Sequence, residues 1–158
     1  MSSTMPTKSP RTEEEFRLAV IPLAELSLTT SKTATERATQ ANTKEFAGFE
    51  LTEAVAVVTV LKDLGTPVPS MDAKAQATLD KIETATKGAA FDKAYITAQL
   101  ENHELLRDIA ESYLSNSDAD TSDKAEQQGR HLATLALATF KEHVAICKRI
   151  SGELSRNG

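Results

Sequence analysis

The placement of proline constrains this chain more than any other feature. All five prolines lie at Pro6 and Pro10, at Pro22, or in the Thr66-Pro67-Val68-Pro69 stretch. The remainder is free of the one residue that costs a helix interior about 3 kcal/mol. Apolar residues recur there at three- and four-residue steps, and no strand-like alternation interrupts them. With 158 residues, 40% of them hydrophobic, the chain can build one domain with a real core.

Capping signals divide the helical signal into elements. Thr12-Glu13-Glu14-Glu15 is a capping box, with a hydroxyl for an orphan N–H and a carboxylate reaching back. It predicts a first helix to about Gln40, with Pro22 kinking it by removing one ladder bond. Asn42-Thr43-Lys44-Glu45 is a second box and opens a helix that ends at Gly65. Ser70 or Asp72 starts a shorter helix that ends near Gly88, and a long one follows from about Ala89 to Ser115. After the polar loop Asn116-Ser117-Asp118-Ala119-Asp120, the last helix extends from about Thr121 to Leu154.

The expected fold class is therefore all-α: a four-helix bundle over residues 13–155 with a short extra helix in its second connection. Residues 1–12 read as a flexible leader. They lack the apolar centre of a signal peptide, and match either the remnant of a cleaved export signal or a plain cytosolic N-terminus.

Composition excludes several functions. The net charge of −5 leaves no basic footprint for phosphates, so nucleic acid is not an expected partner. Aromatic residues at 4%, with no tryptophan, do not suit stacking platforms for bases or sugars. No apolar run approaches the roughly 20 residues of a membrane span. The single cysteine, Cys147, rules out an internal disulfide framework and a cysteine-rich metal cluster. Asp118-x-Asp120-x-Ser122 begins like a calcium loop, but Asp123 stands where glycine belongs and Gly129 where the closing glutamate belongs. Glycine-rich phosphate cradles, nucleophile elbows and His-Glu-x-x-His are all missing.

The informative residues are polar ones on apolar faces, read at 100° per residue. On the first helix Leu18, Ile21 and Leu28 share a face with Glu25 between them, and Glu36 faces the same stripe. The polar run Thr29-Thr30-Ser31-Lys32-Thr33 is expected on the exposed side. On the second helix Glu50 lies near the centre of the stripe made by Phe46, Ala47, Val57 and Leu61, with Glu53 one turn on. On the long third helix Ile96, Leu100, Leu106, Ala110 and Leu114 flank His103, and Asp92 and Gln99 lie on the same line. On the last, Leu132, Ala136, Phe140, Ile146 and Ile150 surround His143, Cys147 follows one turn later, and His131 falls off the stripe.

Burying a charge without a partner costs several kcal/mol, so these groups must meet either a metal ion or each other. Counting about 1.5 Å per residue brings Glu50, Glu53 and His103 to one level, with Glu25 and Glu36 near it. The same count puts His143 roughly 15 Å from His103 along the axis, which predicts separate places for the two histidines. Paired Glu-x-x-His spacing is absent: Glu50-x-x-Glu53 carries a carboxylate where imidazole belongs, and Leu100 stands three residues before His103. A di-iron oxidase centre is therefore not expected. His143-x-x-x-Cys147 could present two ligands on one helix face, although an apolar setting suits an inert, packed thiol.

The motifs Phe46-Ala47-x-Phe49-Glu50-x-x-Glu53 and Phe91-Asp92-x-Ala94-Tyr95-Ile96-x-x-Gln99-x-x-x-His103 resemble a bacterial family of unknown function often labelled as membrane or outer-membrane proteins. The likeness runs from about Phe16 to Leu154. It includes Leu61-Lys62 at the end of the second helix and the late histidine of FKEHVAICKRISGEL, His143. The resemblance implies a ferritin-like four-helix bundle with an export signal, hence a periplasmic or otherwise extracytoplasmic protein, and it implies no particular activity. Where many members carry an Asp-His pair in the second helix, this chain has Glu53-Ala54. The leading expectation is a soluble extracytoplasmic binding or stress-related bundle with no catalysis of its own. The alternative is ferritin-like metal binding through buried Glu and His, with a transition metal as cofactor. A protein partner or a second copy of the chain suits either.

Overall fold

The computed structural model describes residues 9–156, and the first eight residues of the expected leader lie outside it. Five helices make up the architecture: α1 Glu13–Arg37, α2 Ala41–Asp63, α3 Ala73–Thr84, α4 Ala89–Asn116 and α5 Lys124–Arg156. Among the described residues there is no strand. Four long helices with one short helix in the second connection agree with the sequence reading. Among the described residues no helix is long and apolar enough to cross a membrane.

Helix boundaries follow their caps, and one cap is tertiary. Thr12 accepts from the Glu15 N–H at 3.2 Å, as the first box predicts. α1 stops at Arg37 rather than Gln40 because Asp92, from α4, takes the next backbone donors. Its carboxylate accepts from the Thr39 N–H at 3.0 Å, the Thr39 hydroxyl at 2.8 Å and the Gln40 N–H at 2.9 Å. Gln40, not Asn42, then caps α2 by accepting from the Thr43 N–H at 2.9 Å. Asn42 turns instead to Glu153, donating at 2.9 Å.

Asp92 is only 1% exposed, so its three bonds are charge-assisted and shielded. Asp92→Ala should therefore cost about 3 kcal/mol, seen as a fall in melting temperature of roughly 6–12 °C. A change below about 1 °C would contradict this role for Asp92.

α1 packs mainly on α2 and α4, and α4 on α5, while α2 and α5 meet through side chains, Phe46, Glu50 and Glu53 against His143 and Asn42 against Glu153. One core cluster gathers Phe16, Val20, Ile21, Leu61, Leu106 and Tyr113; the other gathers Phe46, Phe91, Tyr95, Ile96, Cys147 and Ile150. Leu18 is 43% exposed, so the buried stripe of α1 is not the expected one. It runs through Phe16, Val20, Ile21, Ala24, Ser27, Thr30, Ser31 and Ala34, which keeps Ile21 of the expected face, with Leu28 packed against it. Thr30 and Ser31, expected on the outside, are buried because they meet hydrogen-bond partners on α4.

The start of α5 lies against the start of α1. Glu126 accepts from the Glu13 N–H at 2.9 Å and from the Tyr113 hydroxyl at 2.9 Å. Gly129 sits at this contact, and a Cβ there would come within 2.4 Å of Glu13 Cβ. Gly129→Ala should thus destabilise by about 1–3 kcal/mol despite the better helix propensity of alanine, readable as a lower urea midpoint.

Candidate metal centre

The two histidines expected apart are neighbours. His143 Nδ1 lies 3.2 Å from His103 Nε2, and the ring centroids are 5.0 Å apart. The cause is the register of α5. Arg130 donates to the carbonyls of Leu114 and Ser117 at 3.1 and 3.4 Å, which places it beside the C-terminal end of α4. His143 lies thirteen residues beyond Arg130, and His103 thirteen residues before Asn116, so both stand at one level. The first turns of α5 project past the end of α4, and counting from the loop misplaces every residue after them.

Glu50 joins the pair. Its Oε2 lies 2.6 Å from His143 Nδ1 and 3.2 Å from His103 Nε2. These three ligand atoms fall within 4.8 Å of one another, and all three residues are buried. Four-coordinate sites with ligand bonds of about 2.0–2.1 Å require roughly 3.3 Å between ligand atoms. Two of the three edges are near that value, and the third is shorter. Yet neither imidazole lines up an N–H with Glu50 Oε2, which is left as a buried oxygen without a hydrogen bond.

Each ligand is held from behind. The Nδ1–H of His103 donates to the Gln99 carbonyl at 2.7 Å, which leaves Nε2 as the lone-pair nitrogen facing the cluster. Glu50 Oε1 accepts from the Ser27 hydroxyl at 2.5 Å, which turns Oε2 toward the histidines. Ser27 also lies 2.7 Å from the Gln99 side chain, whose amide donates to Thr30 at 2.8 Å. Thr30 in turn donates to the Leu26 carbonyl at 2.8 Å. Phe46 closes the site edge-on to both rings, at 6.3 Å from His103 and 5.2 Å from His143.

Burial and neighbouring charge oppose each other at Glu50, Glu53 and His143. Burial pushes Glu50 up, but His103 and His143 outweigh it and hold the carboxyl at about 2. Burial lowers His143, but Glu50 and Glu53 reverse this and leave it raised. Burial raises Glu53, and the charge of His143 offsets only part of the effect.

The other expected site residues divide clearly. Glu53 Oε2 lies 2.7 Å from His143 Nε2, on the opposite side of the ring from the three converging atoms, with its side chain 45% exposed. Glu25 faces Lys62 at 3.2 Å, and Glu36 is exposed, so neither joins the cluster where the helical count placed it. The Tyr95 and Ser31 hydroxyls are hydrogen-bonded at 2.6 Å. Cys147 is a buried core residue whose thiol is pushed well up by burial. Asp92 is the helix-joining cap, and Gln99 supports both His103 and the Ser27 hydroxyl. Sequence reasoning missed the roles of Ser27 and Thr30; the signal for Thr30 was the run of hydroxyl residues from Thr29 within α1.

A family model described as Domain of unknown function (DUF4142) matches residues 2–150. The chain belongs to that family. No curated protein and no solved structure matches it. Within this DUF4142 domain, the buried Glu/His cluster is compatible with metal binding.

Proposed function

We propose that this bundle binds one divalent transition-metal ion through Glu50 Oε2, His103 Nε2 and His143 Nδ1. The observation that carries the reading is the convergence of one carboxylate oxygen and two imidazole nitrogens, from three buried residues, within 4.8 Å of one another. Two imidazoles and one carboxylate suit zinc, iron(II), cobalt(II) or manganese(II), and suit calcium poorly, since calcium takes oxygen ligands. When bound, such an ion supplies a Lewis-acidic centre with at least one exchangeable position. Glu53, against the far nitrogen of His143, orients that ring and stays outside the ligand set.

One ion fits better than the pair of a ferritin-like di-metal centre, because Glu25 faces Lys62 and Glu36 is exposed. A single buried ion suits a binding bundle better than mineral storage. The extracytoplasmic address implied by the family resemblance, and the lack of intrinsic catalysis expected from the sequence, belong to the same reading.

The test adds zinc, iron(II), cobalt(II) and manganese(II) separately to chelator-treated protein. At one hundred times its dissociation constant, a bound ion stabilises by about 2.7 kcal/mol, or roughly 5–11 °C in melting temperature. Elemental analysis should find one ion per chain. Four unchanged melting curves would overturn the proposal.

A further inference from the structure

The groups behind the cluster restrict how its carboxylate can be used. Glu50 has two oxygens, but only Oε2 meets the imidazoles, while Oε1 accepts from the Ser27 hydroxyl at 2.5 Å. That hydroxyl is itself fixed in place. Ser27 is 1% exposed, and the Gln99 side chain lies 2.7 Å from its oxygen. The backbone carbonyl of Gln99 holds His103 at 2.7 Å, so one residue of α4 stands behind two of the three converging groups. For Oε1 to bind an ion together with Oε2, the carboxylate would have to turn and give up a charge-assisted hydrogen bond in a buried setting. Ser27 thereby favours ligation through one oxygen.

The space beside the converging atoms is small. The cavity bounded by Glu50, His103 and His143 measures about 30 Å³, close to the share of a single water molecule. Val20, Leu106 and Phe140 give it apolar walls. Its other polar neighbours are engaged: Glu53 meets the far nitrogen of His143 at 2.7 Å, and the Thr139 hydroxyl donates to the Leu135 carbonyl at 3.4 Å. Three protein atoms and one water make four ligands. Zinc accepts four, whereas manganese(II) favours six and would need more oxygen donors than the cavity holds. From the Ser27 bond and the size of the cavity, we infer that Ser27 restricts this site to four-coordinate ions of the zinc type by confining Glu50 to one oxygen. Ser27 is a positioning residue, acting on the ion only through Glu50.

The inference rests on the metal reading, and the experiment separates the two. Cobalt(II) reports its own ligand number, because the four-coordinate ion absorbs visible light far more strongly than the six-coordinate one. Chelator-treated wild type and Ser27→Ala are loaded with cobalt(II), and dissociation constants for zinc and manganese(II) are measured on both. Wild type should give the strong four-coordinate spectrum, and Ser27→Ala should weaken it. Ser27→Ala should also cost zinc about 10-fold in affinity, as the loss of an outer-shell partner usually does, while manganese loses little, so the preference for zinc narrows by about the same factor. If neither cobalt nor zinc binds, the metal reading and this inference both fail. If cobalt binds with the weak six-coordinate spectrum, the metal reading stands and this inference is overturned. It is also overturned if Ser27→Ala keeps the strong spectrum or weakens zinc and manganese equally, since Ser27 would then serve packing alone.

Discussion

In the metal-free protein, His143→Ala should lower stability by about 3–5 kcal/mol, a drop of roughly 6–20 °C in melting temperature. The loss exceeds that of a packed side chain because Glu50, 4% exposed, keeps its charge and loses its nearest partner. His103 remains 3.2 Å away, and Ser27 still donates to the other oxygen, so the carboxylate is stranded rather than exposed. Adding Glu50→Gln to His143→Ala should recover much of the loss, because the buried charge is then gone. The two substitutions should depart from additivity by more than about 1 kcal/mol. Purely additive effects in urea unfolding would mean that the two groups do not act as a pair. His143→Ala should also abolish the thermal response to metal, since losing even an outer-shell partner usually costs 10- to 100-fold in affinity, and this is a ligand.

A second large effect lies in the pH dependence of the metal-free protein. The Glu50 carboxyl falls from its ordinary 4.5 to about 2 in the folded state. The unfolded chain therefore takes up that proton first as the pH falls. The stabilisation is fully present above about 4.5 and is lost on the way down to about 2, a loss on the order of 3 kcal/mol. His143 has the opposite sign. Its value is raised above 6.5, so its contribution is full below 6.5 and fades as the pH rises through the folded value. Stability should be greatest between these limits. The measurement is the urea midpoint of wild type compared with Glu50→Gln from pH 2 to 9, which cancels the other carboxylates. Parallel curves below pH 4.5 would refute the coupling. Because metal and proton compete for the same nitrogens, the metal-induced rise in melting temperature should grow as the pH increases toward neutrality.

The unevenness of the sequence reading has a physical basis. Glu50 and His103 were legible because each replaces an apolar residue at the centre of a helical stripe, where a charge has to find a partner. Asp92 and Gln99 were visible on the same line as His103, but as polar positions without roles. Their tasks, capping another helix and holding an imidazole, depend on which backbone groups the fold brings to them. Thr30 and Ser31 read as exposed because weak hydroxyl residues in mid-helix usually face water, and Ser27 gave no signal of its own. Here they are buried because α4 supplies Gln99 and Tyr95 as partners.

Local chemistry determined that this chain is helical, where most helices begin, and which side chains could carry charge into the interior. Proline exclusion, capping residues and helical periodicity all act over a few residues, so they are written in the sequence. The level at which α5 passes α4 is different. It is set by the 117–123 connection and by the contact of Arg130 with the end of α4, between groups with no local periodic relation. That register alone put His143 against His103 and Glu50. Sliding one helix along another changes no local preference, so only tertiary packing could choose it.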